Sequence, residues 1–322
     1  MSQFFVRVHC AIARWNNYYI AGLRQVMRDY NASGIYLDEI AYDRTTMLRA
    51  RKVLGDSGKI DHHAHISAFS ASSATNYMEL YPFINRLWYG EGFDYDTPRP
   101  DNWLIETAAH ETGLSSDMLR YTSMGHTHGM TRYAYRGMLV GSAFRYTGGG
   151  PFDPTALWSL WDAFDIQSSE MIGWWEDVEN GAGTVPVRAT ANSASSKRSP
   201  AAAAAAFVRD AGPISSSASC SGGSDSGGNG GDGNDGAVKV TVYLKKGVAA
   251  MIVVADWDEY SASVTFCLDY DWTALGLNPA TATLTAPSLP PFQTAAAVVG
   301  NFTTSHSFTI AIDQGGVILL LQ

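Results

Sequence analysis

The stretch Gly34-Ile-Tyr-Leu-Asp-Glu-Ile-Ala-Tyr-Asp-Arg44 decides the fold class. It opens with a short β-prone run, Gly34 to Leu37, and that run stops at two adjacent carboxylates, Asp38 and Glu39. Upstream, Trp15, Tyr18, Tyr19, Leu23, Val26, Met27 and Tyr30 recur at helical spacing. Downstream, Thr46 to Leu54 begins a second helical pattern, for which Asp43 is placed to act as the N-cap. A short apolar strand between two helices reads as a strand of a parallel sheet, and such sheets present reactive side chains at their carboxyl ends, where the βα loops converge. Capping accounts for Asp43 but leaves Asp38 and Glu39 with a desolvation cost that packing does not explain.

The alternation continues. After the Thr46 to Leu54 helix come a strand from Lys59 to His63, a helix from Ala74 to Arg86, a strand from Leu87 to Glu91 and a helix from Asp101 to Thr112. A strand near Met118 to Tyr121, helices from Arg132 to Phe144 and Thr155 to Phe164, and a last strand from Met171 to Trp175 complete the series. With Phe4 to Cys10 added, five or six strands fall in residues 1–185, where a complete eight-stranded barrel uses about 250 residues. The expected fold is therefore α/β, a partial (β/α)8 TIM-type barrel lacking its first strands, or else a smaller open sheet. Open sheet edges and uncovered helix faces predict a chain that is poorly soluble or oligomeric when expressed alone, and at best weakly active.

Residues 186–236 change character. Ala201 to Ala206 is an alanine run, and Ser215 to Gly236 is nearly all Ser, Gly, Asp and Asn, a composition too poor in apolar area to pack. This segment reads as a linker or insertion, a tether whose cleavage releases a stable C-terminal fragment. Residues 237–322 then carry short β-prone runs parted by turns, Val238 to Leu244, Ala249 to Val254, Ser263 to Leu268, Ala280 to Leu284, Ser307 to Ile312 and Val317 to Leu321, which predict a small antiparallel β-sandwich.

Composition excludes several classes. The net charge of −9 and the lack of basic runs argue against nucleic acid as a partner. No apolar stretch reaches the length of a membrane span, and the start of the chain lacks the charged and apolar regions of a signal peptide. The three cysteines, Cys10, Cys220 and Cys267, form neither a disulfide framework nor a metal-binding pair, which leaves the compartment open, extracellular and endomembrane locations included.

Four strand ends carry polar clusters: Asp38-Glu39, Asp61-His62-His63-Ala64-His65, Trp88-Tyr89-Gly90-Glu91, and the segment leading into His126-Thr127-His128. His63-Ala-His65 has the form of a metal-binding pair, but such a site needs further ligands from other strand ends; the alternative is a histidine that orients a substrate hydroxyl. Glu91, flanked by Gly90 and Gly92, either binds sugar hydroxyls or satisfies a cation such as Arg86. Paired carboxylates are the usual machinery of glycoside cleavage, yet neighbours in sequence diverge and do not straddle a bond. An adjacent pair suits a substrate-assisted reaction, in which a 2-acetamido oxygen is the nucleophile, one group serves as acid/base and one carboxylate holds the amide.

Gly34 to Arg44, together with Arg14-Trp-Asn-Asn-Tyr-Tyr19, Leu87-Trp-Tyr-Gly-Glu-Gly-Phe93, Asp271-Trp-Thr-Ala-Leu-Gly-Leu277 and Ala282-Thr-Leu-Thr-Ala286, resembles the glycoside hydrolase family 123-like proteins. The resemblance implies a β/α barrel and a β-N-acetylgalactosaminidase-type activity with a substrate-assisted, retaining mechanism. Carried over, Glu39 becomes the general acid/base and Asp38 the residue that orients the acetamido group. His63, His65, Trp88, Tyr89 and Glu91 are the substrate-contact candidates, the partner is a carbohydrate, and no metal or organic cofactor is implied. The family's N-terminal β-domain and early barrel strands have no counterpart here, which keeps a second reading open: a non-catalytic carbohydrate-binding or structural protein.

Overall fold

The computed structural model describes residues 14–37, 43–58, 61–67, 74–91, 99–107, 115–118, 130–144, 154–176, 184–191, 238–257, 264–290, 292–293, 310–312 and 315–322. They belong to two compact units, Met1–Tyr121 with Gly141–Arg145, and Thr122–Val140 with Tyr146–Gln322.

The first unit is built on a five-stranded sheet: β1 (Gly34–Leu37), β2 (Asp61–Ser67), β3 (Arg86–Glu91), β4 (Ser115–Met118) and β5 (Ala143–Phe144). The strands lie in chain order and each pairing is parallel. Sequential parallel order belongs to a β/α barrel and lacks the reversal that marks a doubly wound sheet, so the unit is a partial TIM-type barrel. Helix α1 (Arg14–Tyr30) buries Ile20, Leu23 and Met27 against Ala50, Val53 and Leu54 of α2 (Arg44–Asp56), and Ile35 of β1 packs on the same cluster.

Two expected helices differ. The Ala74–Phe83 segment is a 3-10 helix with Pro82 in its last turn; proline has no N–H to give and crowds the preceding turn of an α-helix. The helix expected over 132–144 is α4 (Met130–Leu139), which stops ahead of Gly141, left-handed at φ 72°, so that Ala143 and Phe144 are free to form β5. A third helix of this unit, α3, spans Pro100–Thr107.

The second unit is an antiparallel sandwich. One sheet has the order β11 (Leu284–Thr285), β13 (Gly316–Leu321), β9 (Ala249–Asp256), β8 (Val238–Lys245), β6 (Glu170–Ile172); the other has β12 (Ile310–Ile312), β10 (Val264–Tyr270), β7 (Val187–Ala191). Val240, Val242, Ile252, Val254 and Leu319 of the first sheet share a core with Val187, Phe266 and Leu268 of the second. Helices α5 (Thr155–Phe164) and α6 (Trp272–Leu275) complete the unit. Two strands depart from the sequence reading. The run expected as a last parallel barrel strand, Met171 to Trp175, contributes β6, antiparallel to β8 through Glu170–Leu244, Met171–Tyr243 and Ile172–Val242. Val187–Ala191, expected as the start of the linker, is β7, with five register pairs to β10. Cys267 of β10 is disulfide-bonded, where the sequence predicted no disulfide framework; Cys10 and Cys220 lie outside the described residues.

Helix α4 packs on β9 and β13 of this sandwich. Gly316 leaves room for the Tyr135 ring, since a Cβ there would fall 2.3 Å from it. The Tyr135 hydroxyl meets the Phe292 carbonyl at 2.9 Å, and Gln293 ties itself to both backbone groups of Ile318 at 2.9 Å. The last-turn carbonyls of α4, which have no helical partner, accept from Tyr243 at Met138 and from Thr241 at Leu139. Arg136, fully buried, donates through Nε and Nη2 to the Asp256 carbonyl and lies over the Trp257 ring at 4.7 Å. Burial holds the phenols of Tyr135 and Tyr243 well above the usual tyrosine value, so both remain neutral donors.

Candidate functional site

Asp38 and Glu39 lie in the segment 38–42, outside the described residues, but both ends of that segment are described. On one side β1 ends at Leu37, which is buried and paired with Ala64 of β2. On the other, Asp43 caps α2: Oδ1 accepts from the backbone N–H of Thr45 at 2.8 Å and of Thr46 at 3.1 Å, and Oδ2 accepts from Thr46 Oγ1 at 2.7 Å. Asn16 of α1 donates to the same Oδ2 at 3.4 Å. Burial works to raise the Asp43 carboxyl, but the bonds from Thr46 and Thr45 outweigh it and hold the group below the usual carboxylate value. The expectation that Asp43 is an N-cap is borne out. Next to it, the Arg44 guanidinium lies over the Phe83 ring at 5.5 Å.

The register of the parallel sheet sorts the remaining candidates. His63 of β2 is opposite Tyr36 of β1 and Arg86 of β3; His65 is opposite Trp88, and Trp88 is opposite Asp117 of β4. Alternate residues of a strand occupy opposite faces. Ile35 packs with the helices, and Leu37 shares its face; Tyr36, 42% exposed, is on the other. His63, His65, Arg86, Trp88, Ser115 and Asp117 therefore share the Tyr36 face of the sheet.

Glu91 pairs through an irregularity. The register shifts between Ile66 and Ser67, so that Ser67 is opposite Glu91 and not Gly90. Tyr89 is in the alternate row, between Ile66 and Met118. The register thus sets His63 in the row that opens β3 and β4 at Arg86 and Ser115, His65 and Trp88 in the row two residues further on, and Glu91 at the last residue of β3, with Tyr89 in an alternate row. Asp117 and Arg86 join these rows without having been singled out as site residues; the predicted strand began at Met118, one residue too late to place Asp117 within it. Among the described residues, no group of three or more His, Cys, Asp or Glu could hold a metal ion, and no helix is long and apolar enough to cross a membrane.

A sequential parallel sheet is that of a β/α barrel, a fold whose catalytic groups are carried at the carboxyl ends of its strands. Residues 5–147 match the family model described as Glycoside hydrolase 123, TIM-barrel domain, and residues 231–322 match that described as Glycoside hydrolase 123, C-terminal domain. The chain belongs to glycoside hydrolase family 123. No curated protein matches it. Among solved structures it is similar to a GH27 β-L-arabinopyranosidase from Geobacillus stearothermophilus, at 10% identity and a TM-score of 0.35, over 95% of this chain and 61% of that one. The chain thus spans about 61% of the length of that structure.

Proposed function

We propose that the protein is a glycosidase that cleaves a β-linked N-acetylhexosamine, N-acetylgalactosamine by its family, through a substrate-assisted, retaining mechanism. The observation that supports it most is the β1–β2–β3 register. Its four β1–β2 pairs end at Leu37–Ala64, so the described strand β1 stops one residue before the Asp38-Glu39 pair in the sequence, at the carboxyl end of a strand of a parallel sheet.

In this reading Glu39 gives its proton to the glycosidic oxygen while the acetamido oxygen of the substrate attacks C1. The bond to the leaving group breaks and a bicyclic oxazolinium ion forms. Asp38 accepts from the acetamido N–H and opposes the positive charge that develops there. Glu39, now a carboxylate, takes a proton from water as the water adds at C1 and reopens the ring, so the anomeric configuration is retained after two inversions. Trp88 offers a face for the sugar ring, and His63, His65, Tyr89 and Glu91 are hydroxyl-binding candidates.

The test compares an aryl β-N-acetylgalactosaminide with the aryl β-galactoside that carries a 2-hydroxyl. Only the first has its own nucleophile, so only the first is cleaved. Equal cleavage of both removes the substrate-assisted mechanism. Binding of the sugar without turnover of either favours a non-catalytic carbohydrate-binding protein.

A further inference from the structure

We infer that Asn31 is a modification site, the acceptor of an N-linked glycan. The inference goes beyond the glycosidase reading and does not rest on it. Asn31-Ala-Ser33 has the Asn-x-Ser/Thr form of an acceptor sequon; a second, Asn301-Phe-Thr303, lies outside the described residues. The triplet arises often by chance, and its placement decides whether it can be used. Here Asn31 and Ser33 are both exposed, in the turn between the end of α1 at Tyr30 and the start of β1 at Gly34. Asn31 has φ 49°, the left-handed conformation that asparagine adopts more readily than most residues with a side chain and that lets a helix end. Ending α1 explains an asparagine at this position. It does not call for the hydroxyl two residues on, nor for Tyr30, whose ring is 78% exposed beside the acceptor.

The surroundings suit a glycan. Arg28 and Asp29, paired at 2.6 Å and exposed, keep this end of α1 polar and solvated, and the Tyr30 ring offers a face on which the first sugar can stack. The turn is at the amino end of β1, whereas a β/α barrel carries its catalytic groups at the carboxyl ends of its strands. A glycan on Asn31 therefore leaves the unit from the end away from the substrate. A second observation concerns the compartment. Cys267, 2% exposed, is disulfide-bonded, and disulfides persist where the surroundings are oxidising, the lumen of the endoplasmic reticulum included. That lumen is also where N-glycans are added. In the transfer, the Asn31 side-chain nitrogen bonds to C1 of the reducing-end sugar of a lipid diphosphate-linked oligosaccharide. The bond from C1 to the diphosphate oxygen breaks, the lipid diphosphate leaves with the bonding electrons, and the amide nitrogen gives up a proton to a base of the transferase.

The test expresses the whole chain behind a cleavable leader in a eukaryotic secretory host, as wild type, Asn31→Gly, Ser33→Ala and Asn301→Gln. Asn31→Gly keeps a residue suited to the left-handed turn, and Ser33→Ala leaves Asn31 itself in place, so each removes the sequon with the fold retained. On treatment with a peptide N-glycosidase, the wild type should lose a glycan-sized step of mobility, and its peptide map should show the accompanying deamidation at position 31. Asn31→Gly and Ser33→Ala should lack that step, and Asn301→Gln should keep it. Cys267 should react with maleimide only after reduction. Wild type without a glycan at position 31, whether secreted or retained, overturns the inference, and so does a glycan carried at Asn301 alone. A Cys267 thiol that labels without reductant removes the oxidising compartment and overturns it as well.

Discussion

Thr46 donates to Asp43 twice, through its backbone N–H at 3.1 Å and its Oγ1 at 2.7 Å. This pair starts α2 six residues after Leu37, and the Asp38-Glu39 pair lies between the two anchors. An N-cap of this kind usually contributes about 1 kcal/mol. Asp43→Ala is expected to cost about that much in urea denaturation at pH 7. Because the folded carboxyl is held below its usual value, the stabilisation is present above the unfolded value of about 3.9 and is lost as pH falls from there through the lowered folded value. The wild type and Asp43→Ala should therefore converge in stability on acidification; a constant gap down to pH 2 shows that the carboxylate charge is not what the cap uses.

The acid/base assignment carries the largest expected effect. General acid/base groups contribute about a hundred- to ten-thousandfold in rate, so Glu39→Gln should lose activity on that scale while its sugar binding, followed by NMR, persists. Asp38→Asn should be comparably damaging, since an amide can hold the acetamide but cannot oppose the oxazolinium charge. A small effect of Glu39→Gln on turnover, with that of Asp38→Asn large, exchanges the roles of the two residues.

Tyr135 and Gly316 make a second close relationship, and it concerns stability. A methyl at position 316 would sit 2.3 Å from the buried Tyr135 ring, and crowding in a packed interior costs about 1–3 kcal/mol. Gly316→Ala should be destabilised by that order in thermal or urea unfolding. Tyr135→Leu/Gly316→Ala should recover part of the loss if the clash is its cause, and none of it if glycine is needed for the backbone of β13.

Much of this architecture is legible in the residues. Gly34–Leu37 reads as a strand from its β-prone composition and flanking helices, Asp43 as a cap from its chemistry, and Thr155–Phe164 as a helix from its spacing. What is not legible is which strand pairs with which. Glu170–Ile172 is a three-residue fragment whose composition fits a parallel or an antiparallel neighbour equally, and only pairing with β8 makes it part of the sandwich. Val187-Arg-Ala-Thr-Ala191 has the small residues of the low-complexity stretch that follows it, and its strand is stabilised by β10 from the far side of that stretch. In the candidate site, Asp38, Glu39 and the His63 cluster stand out because polar groups end apolar runs. Asp117 does not, because its relation to Trp88 and His65 is a cross-strand register, and the register shift before Glu91 leaves no mark in the sequence.

The pairing of β6 and β7 also reverses an expectation about the Ala- and Ser/Gly-rich stretch. A tether between two separable domains, once cut, lets them part. Here the chain before residue 192 supplies α4, β6 and β7 to the sandwich, and the chain after residue 237 supplies the rest of its strands. The contacts that cross this gap are extensive: the β6–β8 and β7–β10 ladders, the Tyr135 and Arg136 hydrogen bonds, the Asp271 N–H to Pro186 carbonyl bond at 2.8 Å, and Lys245 paired with Asp165 at 3.3 Å. A protease site placed after Ser217 should therefore give two pieces on a denaturing gel that elute together at the intact mass on native size exclusion. They should separate only in denaturant, and the cut should lower the thermal midpoint because the tether no longer raises the effective concentration of one piece at the other. Thr241→Val and Gly316→Ala should make the cut protein dissociate on dilution while the uncut variants remain folded. Elution of a free, folded C-terminal piece from the cut wild type would show that the ladders across the gap do not hold the sandwich together.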